Sequence, residues 1–385
     1  MPASISSYSS RFGKFLLVVV TAVLLAGCTT APPSREGLTA MLKKHVRYLP
    51  DDHLDSLIGE MKSKEIVFLG EVHNVPALHR AADDLVLGLA STRPVVYAWE
   101  GCYSVSPFYE AASLGKPNPL SPQQPIPPQI MVFNSTNIPA RQIMLTAVDV
   151  VHTIYHSKEH PVRYLTEMAH RSTSPAACQA LEAHIPRLTA TKTYEEVQEY
   201  LREAARLFQQ HVATFSAADQ EEIRFALDLF EASNRYQHAS QGLIKTPENP
   251  QQVRYEFFIK TIDRAYLKAQ QRNAILVTRL GGWHVNLTWR CEAKHFAIDN
   301  PATKGKVMAV QLLPVHDEGG KESAEGIDLV AAVKALMKPG HYCYLALPQL
   351  NGAVRRALKY SQYYPGNRPI CDGLLFVKAS KSPET

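Results

Sequence analysis

Two stretches of this chain carry the same order of residues, and they limit its fold more than anything else in it. Glu65-Ile66-Val67-Phe68-Leu69-Gly70-Glu71-Val72-His73-Asn74-Val75-Pro76 reads as a short buried strand over 66–69, then a glycine-initiated turn carrying Glu71 and His73. Pro76 can then open a helix at its first turn. Far downstream, Ala274-Ile275-Leu276-Val277-Thr278-Arg279-Leu280-Gly281-Gly282-Trp283-His284 repeats the plan: apolar strand, glycine, two residues, histidine. Strands buried on both faces belong to parallel sheets, and in such sheets ligands collect at the carboxyl edge, where loops leave and helix N-termini point back. The expected fold class is therefore α/β, a mainly parallel sheet flanked by helices, with both histidines serving one site.

The remaining patterns extend this plan. Helical apolar spacing covers 38–48 and 53–61, and 80–89 is a return helix with Leu85, Val86 and Leu89 on its inner face and Asp83 and Asp84 in solvent. A second strand over 94–99 ends at Glu100, and a third over 143–148 ends at Asp149; 306–313, 341–347 and 371–377 are further strands. Between them, 160–245 is expected to be an inserted helical subdomain that shapes or covers the pocket, and 253–271 a long helix that delivers the chain to the second motif. The stretch 117–139 holds seven prolines in 23 residues, most of which can be neither helix nor central strand. It reads as a surface loop or a lid over the site. His152, His156 and His160 recur every four residues, as ligands on one helical face would, but Pro161 and the lack of an apolar stripe speak for solvated or structural histidines.

The N-terminus carries an address. Arg11 and Lys14 precede an apolar run over 15–25 that is short for a membrane span, and Leu25-Ala26-Gly27-Cys28 follows. This tetrapeptide resembles a bacterial lipobox, which implies a signal peptide at 1–27, a lipid on the Cys28 thiol and a tether over 28–36; an ordinary signal peptide is the plainer reading. Thr29 and Thr30 after the cysteine, with no Asp, favour the outer membrane, facing the periplasm. Residues 37–380 would then fold as one domain. Loss of Arg11 and Lys14 with the leader takes the formal charge from +5 to +3, which is no nucleic-acid footprint. Five cysteines remain, an odd number that leaves at least one thiol free or paired outside the chain, in a homodimer for example; none shows CxxC spacing.

Glu71, His73, Glu100, Asp149 and His284 all fall at the ends of apolar runs, so a parallel sheet would gather them on one rim. Such a set can activate water by general acid/base chemistry, hold a divalent metal through His73 and His284 with an open position for water, or line a haem or iron pocket. The plainer alternative is that the two acids cap helices and the histidines brace loops. A G-x-S-x-G elbow and an HExxH helix are both missing, which disfavours serine hydrolases and thermolysin-like proteases.

Gly70-Glu71-Val72-His73, with Asn74, Pro76 and His79, together with Gly281-Gly282-Trp283-His284, resembles the superfamily of ChaN-type haem-binding lipoproteins, Tiki/TraB metalloproteases and erythromycin esterases, over roughly 62–380. The lipobox and the His-Asn-x-Pro-x-x-His run look closest to the ChaN branch. The resemblance implies an envelope lipoprotein of haem or iron uptake, or else a hydrolase in which Glu71, His73 and His284 activate water. It also implies a catalytic or binding set of Glu71, His73, His79, Glu100, Asp149, His284 and an arginine opening the long helix, best matched by Arg254, with Arg264 and Arg272 as alternatives. Tyr97, Tyr103 and His79 are the candidate haem ligands nearest the site in sequence.

Overall fold

Ile66 to Leu69 does become a strand, and what packs on either side explains why it has no polar face. The computed structural model describes residues 33–50, 54–115, 126–150, 158–245, 249–316 and 329–379, apart from 360, 364, 366 and 367. The chain begins with α1 (Arg35–Leu42), β1 (Arg47–Pro50), α2 (Asp55–Met61), β2 (Ile66–Glu71), α3 (Pro76–Ala90), β3 (Val95–Cys102), α4 (Ser106–Ser113), α5 (Pro128–Thr136) and β4 (Met144–Asp149). Then come α6 (Glu159–Ala169), α7 (Pro175–His184), α8 (Tyr194–Gln210), α9 (Ala217–Ser240) and α10 (Pro250–Gln271). The chain returns to the sheet with β5 (Ile275–Gly281), β6 (Val307–His316), α11 (Leu329–Lys334), β7 (His341–Ala346), α12 (Gly352–Leu358) and β8 (Gly373–Ala379).

The eight strands form one sheet in the order β1-β7-β8-β6-β2-β5-β3-β4. From β8 to β4 every pairing is parallel, and β7 and β1 add an antiparallel edge. Ile66 and Phe68 face a layer that includes Phe258 and Ile262 of α10, while Val67 and Leu69 face Leu78, Leu85 and Leu89 of α3. All four β2 side chains are fully buried, each worth roughly 1.5–3 kcal/mol of transfer free energy. Helices thus cover both faces, and the carboxyl ends of the neighbours β2, β5, β3 and β4 share one rim.

Between β4 and β5 the described residues are helical and have a core of their own. Tyr164 and Leu165 of α6, Leu201 of α8 and Phe230 of α9 pack together with Tyr103 and Val150 from the sheet's end. Helix α8 is opened by a reciprocal cap, Thr193 accepting from the Glu196 N–H while the Glu196 carboxylate accepts from the Thr193 N–H.

Several local readings are corrected. Tyr48, read as helical, lies in edge strand β1, paired with Cys343; helix α1 stops at Leu42. The proline-rich stretch contains helix α5, because Pro128 sits in its first turn, where a missing N–H costs nothing. Asp83 is buried, not solvated: the Tyr97 hydroxyl donates to it at 3.0 Å and Gln129 at 3.1 Å. His160 is on α6, whereas His152, His156 and the segment with Cys28 lie outside the described residues. Among the described residues no helix is long and apolar enough to cross a membrane, and none of the five cysteines forms a disulfide. Burial raises Cys291 and Cys371 to about 12 and Cys343 to about 11, so these three are inert thiols.

Candidate functional site

Three backbone devices aim the rim side chains. After β2, Asn74 takes a left-handed φ of 62°, tolerable for Asn, and this turns the chain from His73 into α3. On β3 the register slips between Trp99, opposite Ala147, and Cys102, opposite Asp149, so a bulge at Glu100-Gly101 re-aims the Glu100 carboxylate toward β5. There Glu100 Oε2 accepts the Gly281 N–H at 2.6 Å. The absence of a side chain at Gly281 leaves room for both groups: a Cβ would lie 2.9 Å from His73 Nε2 and 3.3 Å from Glu100 Oε2, so His73 would have to move aside.

The sheet and α10 bring all the expected residues together. His73 Nδ1 lies 3.7 Å from Glu71 Oε1 and its Nε2 3.5 Å from Glu100 Oε2, distances of charge contact rather than hydrogen bonding. His79, one turn into α3, places Nε2 3.2 Å from the same Glu71 oxygen. Arg254 of α10 donates to both oxygens of Asp149, at 3.1 and 2.7 Å, and to Glu100 Oε1 at 2.8 Å. It is the arginine at the rim; Arg264 instead pairs with Glu221 and Glu222, and Arg272 donates to the carbonyls of Pro139 and Gln142. His284 stacks on Phe258, with Nδ1 2.7 Å from Glu292 Oε2 and Nε2 3.4 Å from Glu100 Oε1.

The rim's electrostatics follow from these pairs. Burial opposes charge on His284, but Glu100 and Glu292 on either side of the ring push it up to about 10, so it is a cation at neutral pH. Burial likewise favours the neutral form of Glu100, yet His284, the Gly281 N–H and Arg254 together hold it well below the usual carboxylate range. Arg254 is held further into its charged form by Asp149 and Glu100 against its own burial. A second cation, Arg279, escaped the sequence reading. It lies 3.8 Å from Glu71 and 3.6 Å from Asp83, and over the Tyr97 ring. Burial pushes Asp83 up, and Arg279 and the Tyr97 hydroxyl partly offset it. The signal was present: a charged residue inside an apolar central strand has to be paired. Glu292, in a short helical turn, offered no comparable signal.

Exposure divides the set. His73 is 57% exposed, His79 36%, Arg254 18%, His284 16%, Glu100 15% and Glu71 6%. Glu71 Oε2 is buried and receives no hydrogen bond from the described residues. As they stand, the rim donors are engaged with one another: both nitrogens of His284 face carboxylates, Glu100 and Asp149 are matched by Arg254, and among the described residues the three-ligand group lies elsewhere, on the helical insertion. The nearby tyrosines are not open to a haem iron: Tyr97 is buried against Asp83, and Tyr103 against Glu222.

No family model and no curated protein matches the sequence. Solved structures do match the fold. A Bacillus cereus protein from structural genomics superposes with a TM-score of 0.63 at 14% identity, covering 91% of this chain and 98% of its own. A mutant of erythromycin esterase EreC in its open conformation gives 0.57 at 12% identity, covering 88% and 98%. ChaN of Campylobacter jejuni, a haem-binding protein, overlays only loosely, with a TM-score of 0.29 at 9% identity over 70% of this chain and 91% of its own. The chain therefore shares the fold of these solved structures, the erythromycin esterase among them.

Proposed function

We propose that this protein is a metal-independent hydrolase of carboxylic esters, in which His73 is the general base that takes a proton from water. Glu71 and Glu100 orient its ring. The observation that carries this reading is the exposure pattern: His73 is the most open of these titratable groups, and it stands between the buried Glu71 and the half-buried Glu100, which Arg254 and the Gly281 N–H hold in place. The protonated His284 cannot serve as a base at neutral pH, so water activation falls to His73.

In the reaction the water oxygen bonds to the acyl carbon while His73 takes its proton. The tetrahedral intermediate then expels the alkoxide, and His73 returns the proton to it, leaving acid and alcohol. Arg254, Arg279 and His284 partly offset the charges of Glu71, Glu100, Asp149 and Glu292, which lessens the rim's repulsion of the oxyanion. The gaps of 3.5 and 3.7 Å around His73 suit a resting site that tightens when substrate binds. The fold neighbour's own activity on an ester makes esters the first substrates to try. The lipobox supports placing this activity in the bacterial envelope, anchored through lipid on Cys28 and facing the periplasm.

The test is a panel of small carboxylic esters, offered to the detergent-solubilised protein and to the His73→Ala variant, with haem titrated into parallel samples and read by absorbance. Hydrolysis lost in the variant supports the reading. No hydrolysis of any ester, together with a stoichiometric Soret band that the variant loses, would replace it with the haem-binding function that the ChaN resemblance implies, His73 being the ligand.

A further inference from the structure

We propose that His170, Cys178 and Glu182 form a surface site for a thiophilic divalent cation, zinc above all, that clips α6 to α7. Their ligand atoms, one nitrogen, one sulfur and one oxygen, all lie within 4.8 Å of one another. The group belongs to the helical insertion and shares no residue with the rim.

The chain's local structure brings the three together. His170 caps the C-terminus of α6, and Cys178 and Glu182 are four residues apart on α7, hence on one face. The connecting turn is pinned at several points: Ser172 Oγ to Thr214 Oγ1 at 2.8 Å, the Thr173 N–H to the Thr214 carbonyl at 2.8 Å, and Arg171 to Asp219 at 3.0 Å. Ser174 then caps α7 by accepting from the Ala177 N–H. The turn therefore keeps the end of α6 beside α7 and the three ligands near one another before any ion arrives.

His170 Nε2 stands 2.6 Å from Glu182 Oε1. Tetrahedral zinc, with bonds of about 2.0–2.3 Å, needs its ligand atoms about 3.3–3.6 Å apart, so a small opening of this contact admits the ion. A thiolate and a carboxylate neutralise its charge, and His170 supplies the neutral donor. The sulfur selects against magnesium and calcium, and three protein ligands leave one position for water. His170 and Glu182 are exposed and Cys178 half-buried, so binding requires little desolvation.

Cobalt(II) is the probe, added to the solubilised full chain. One equivalent should bring up a thiolate-to-cobalt charge-transfer band that zinc displaces, and binding should strengthen with pH as the ligands deprotonate. Cys178→Ser should abolish the band, and His170→Ala and Glu182→Gln should each weaken binding roughly tenfold or more. Zinc should raise the melting temperature of the parent but not of Cys178→Ser. No band, or an unchanged band in a folded Cys178→Ser protein, would overturn the proposal.

Discussion

Replacing His284 with asparagine removes the cation that holds two buried carboxylates together, Glu100 at 3.4 Å and Glu292 at 2.7 Å, both at most 15% exposed. The folded protein raises His284 from 6.5 to about 10, and at about 1.4 kcal/mol per pKa unit the protonated ring contributes about 3–5 kcal/mol. The sign is set by the direction of the shift. A raised pKa stabilises fully below the unfolded value near 6.5, and that stability is lost as pH climbs through the folded value near 10. Urea unfolding of parent and His284→Asn at intervals from pH 6 to pH 9.5 should therefore show a stability gap of about 3–5 kcal/mol at the acid end, shrinking to about 1 kcal/mol at the alkaline end. Taking the difference between the two proteins cancels the tyrosines and lysines that titrate in the same range. A gap below about 1 kcal/mol at pH 6, or one that stays constant with pH, would refute the buried-imidazolium reading.

Other perturbations separate position from stability. Gly281 has φ −56° and ψ 148°, which alanine adopts freely, so Gly281→Ala should change unfolding free energy by less than about 1 kcal/mol while its Cβ displaces His73; ester turnover should fall in a protein whose melting curve is nearly unchanged. Arg279→Met leaves Glu71 and Asp83 buried without their cation and should cost about 3–5 kcal/mol in denaturant unfolding, part of it recovered in the double variant with Asp83→Asn. Prolonged dialysis against a chelator should leave ester turnover at its starting rate, because the rim acids are matched by arginine and imidazolium; loss restored by a divalent ion would show that the rim does hold a metal.

What the sequence made legible was whatever a strand writes in consecutive residues. Buried runs ending in glycine mark β2 and β5, and a carboxylate follows the apolar run in β3 and β4, so the parallel order was enough to collect Glu71, Glu100, Asp149 and both histidines on one rim. Arg254 was within reach because it opens a long helix directed at that rim. The acid network beneath was not, since the Asp83–Tyr97–Arg279 cluster joins three elements whose pairing depends on register, and Asp83 occupies a helix position that in isolation suits solvent. Edge strand β1 was hidden because four residues show too little periodicity to outweigh the helical spacing before them. Helix α5 was hidden by prolines that obstruct a helix everywhere except its first turn.

The most direct test of the account is the ester hydrolysis rate of His73→Gln beside the parent, measured on preparations whose unfolding curves coincide. Glutamine keeps the size and a hydrogen-bonding end at a half-exposed position but cannot accept and return a proton. If His73 is the base, kcat should fall roughly 10²–10⁴-fold with no loss of fold. A variant that hydrolyses the same ester within a few-fold of the parent would show that the base lies elsewhere.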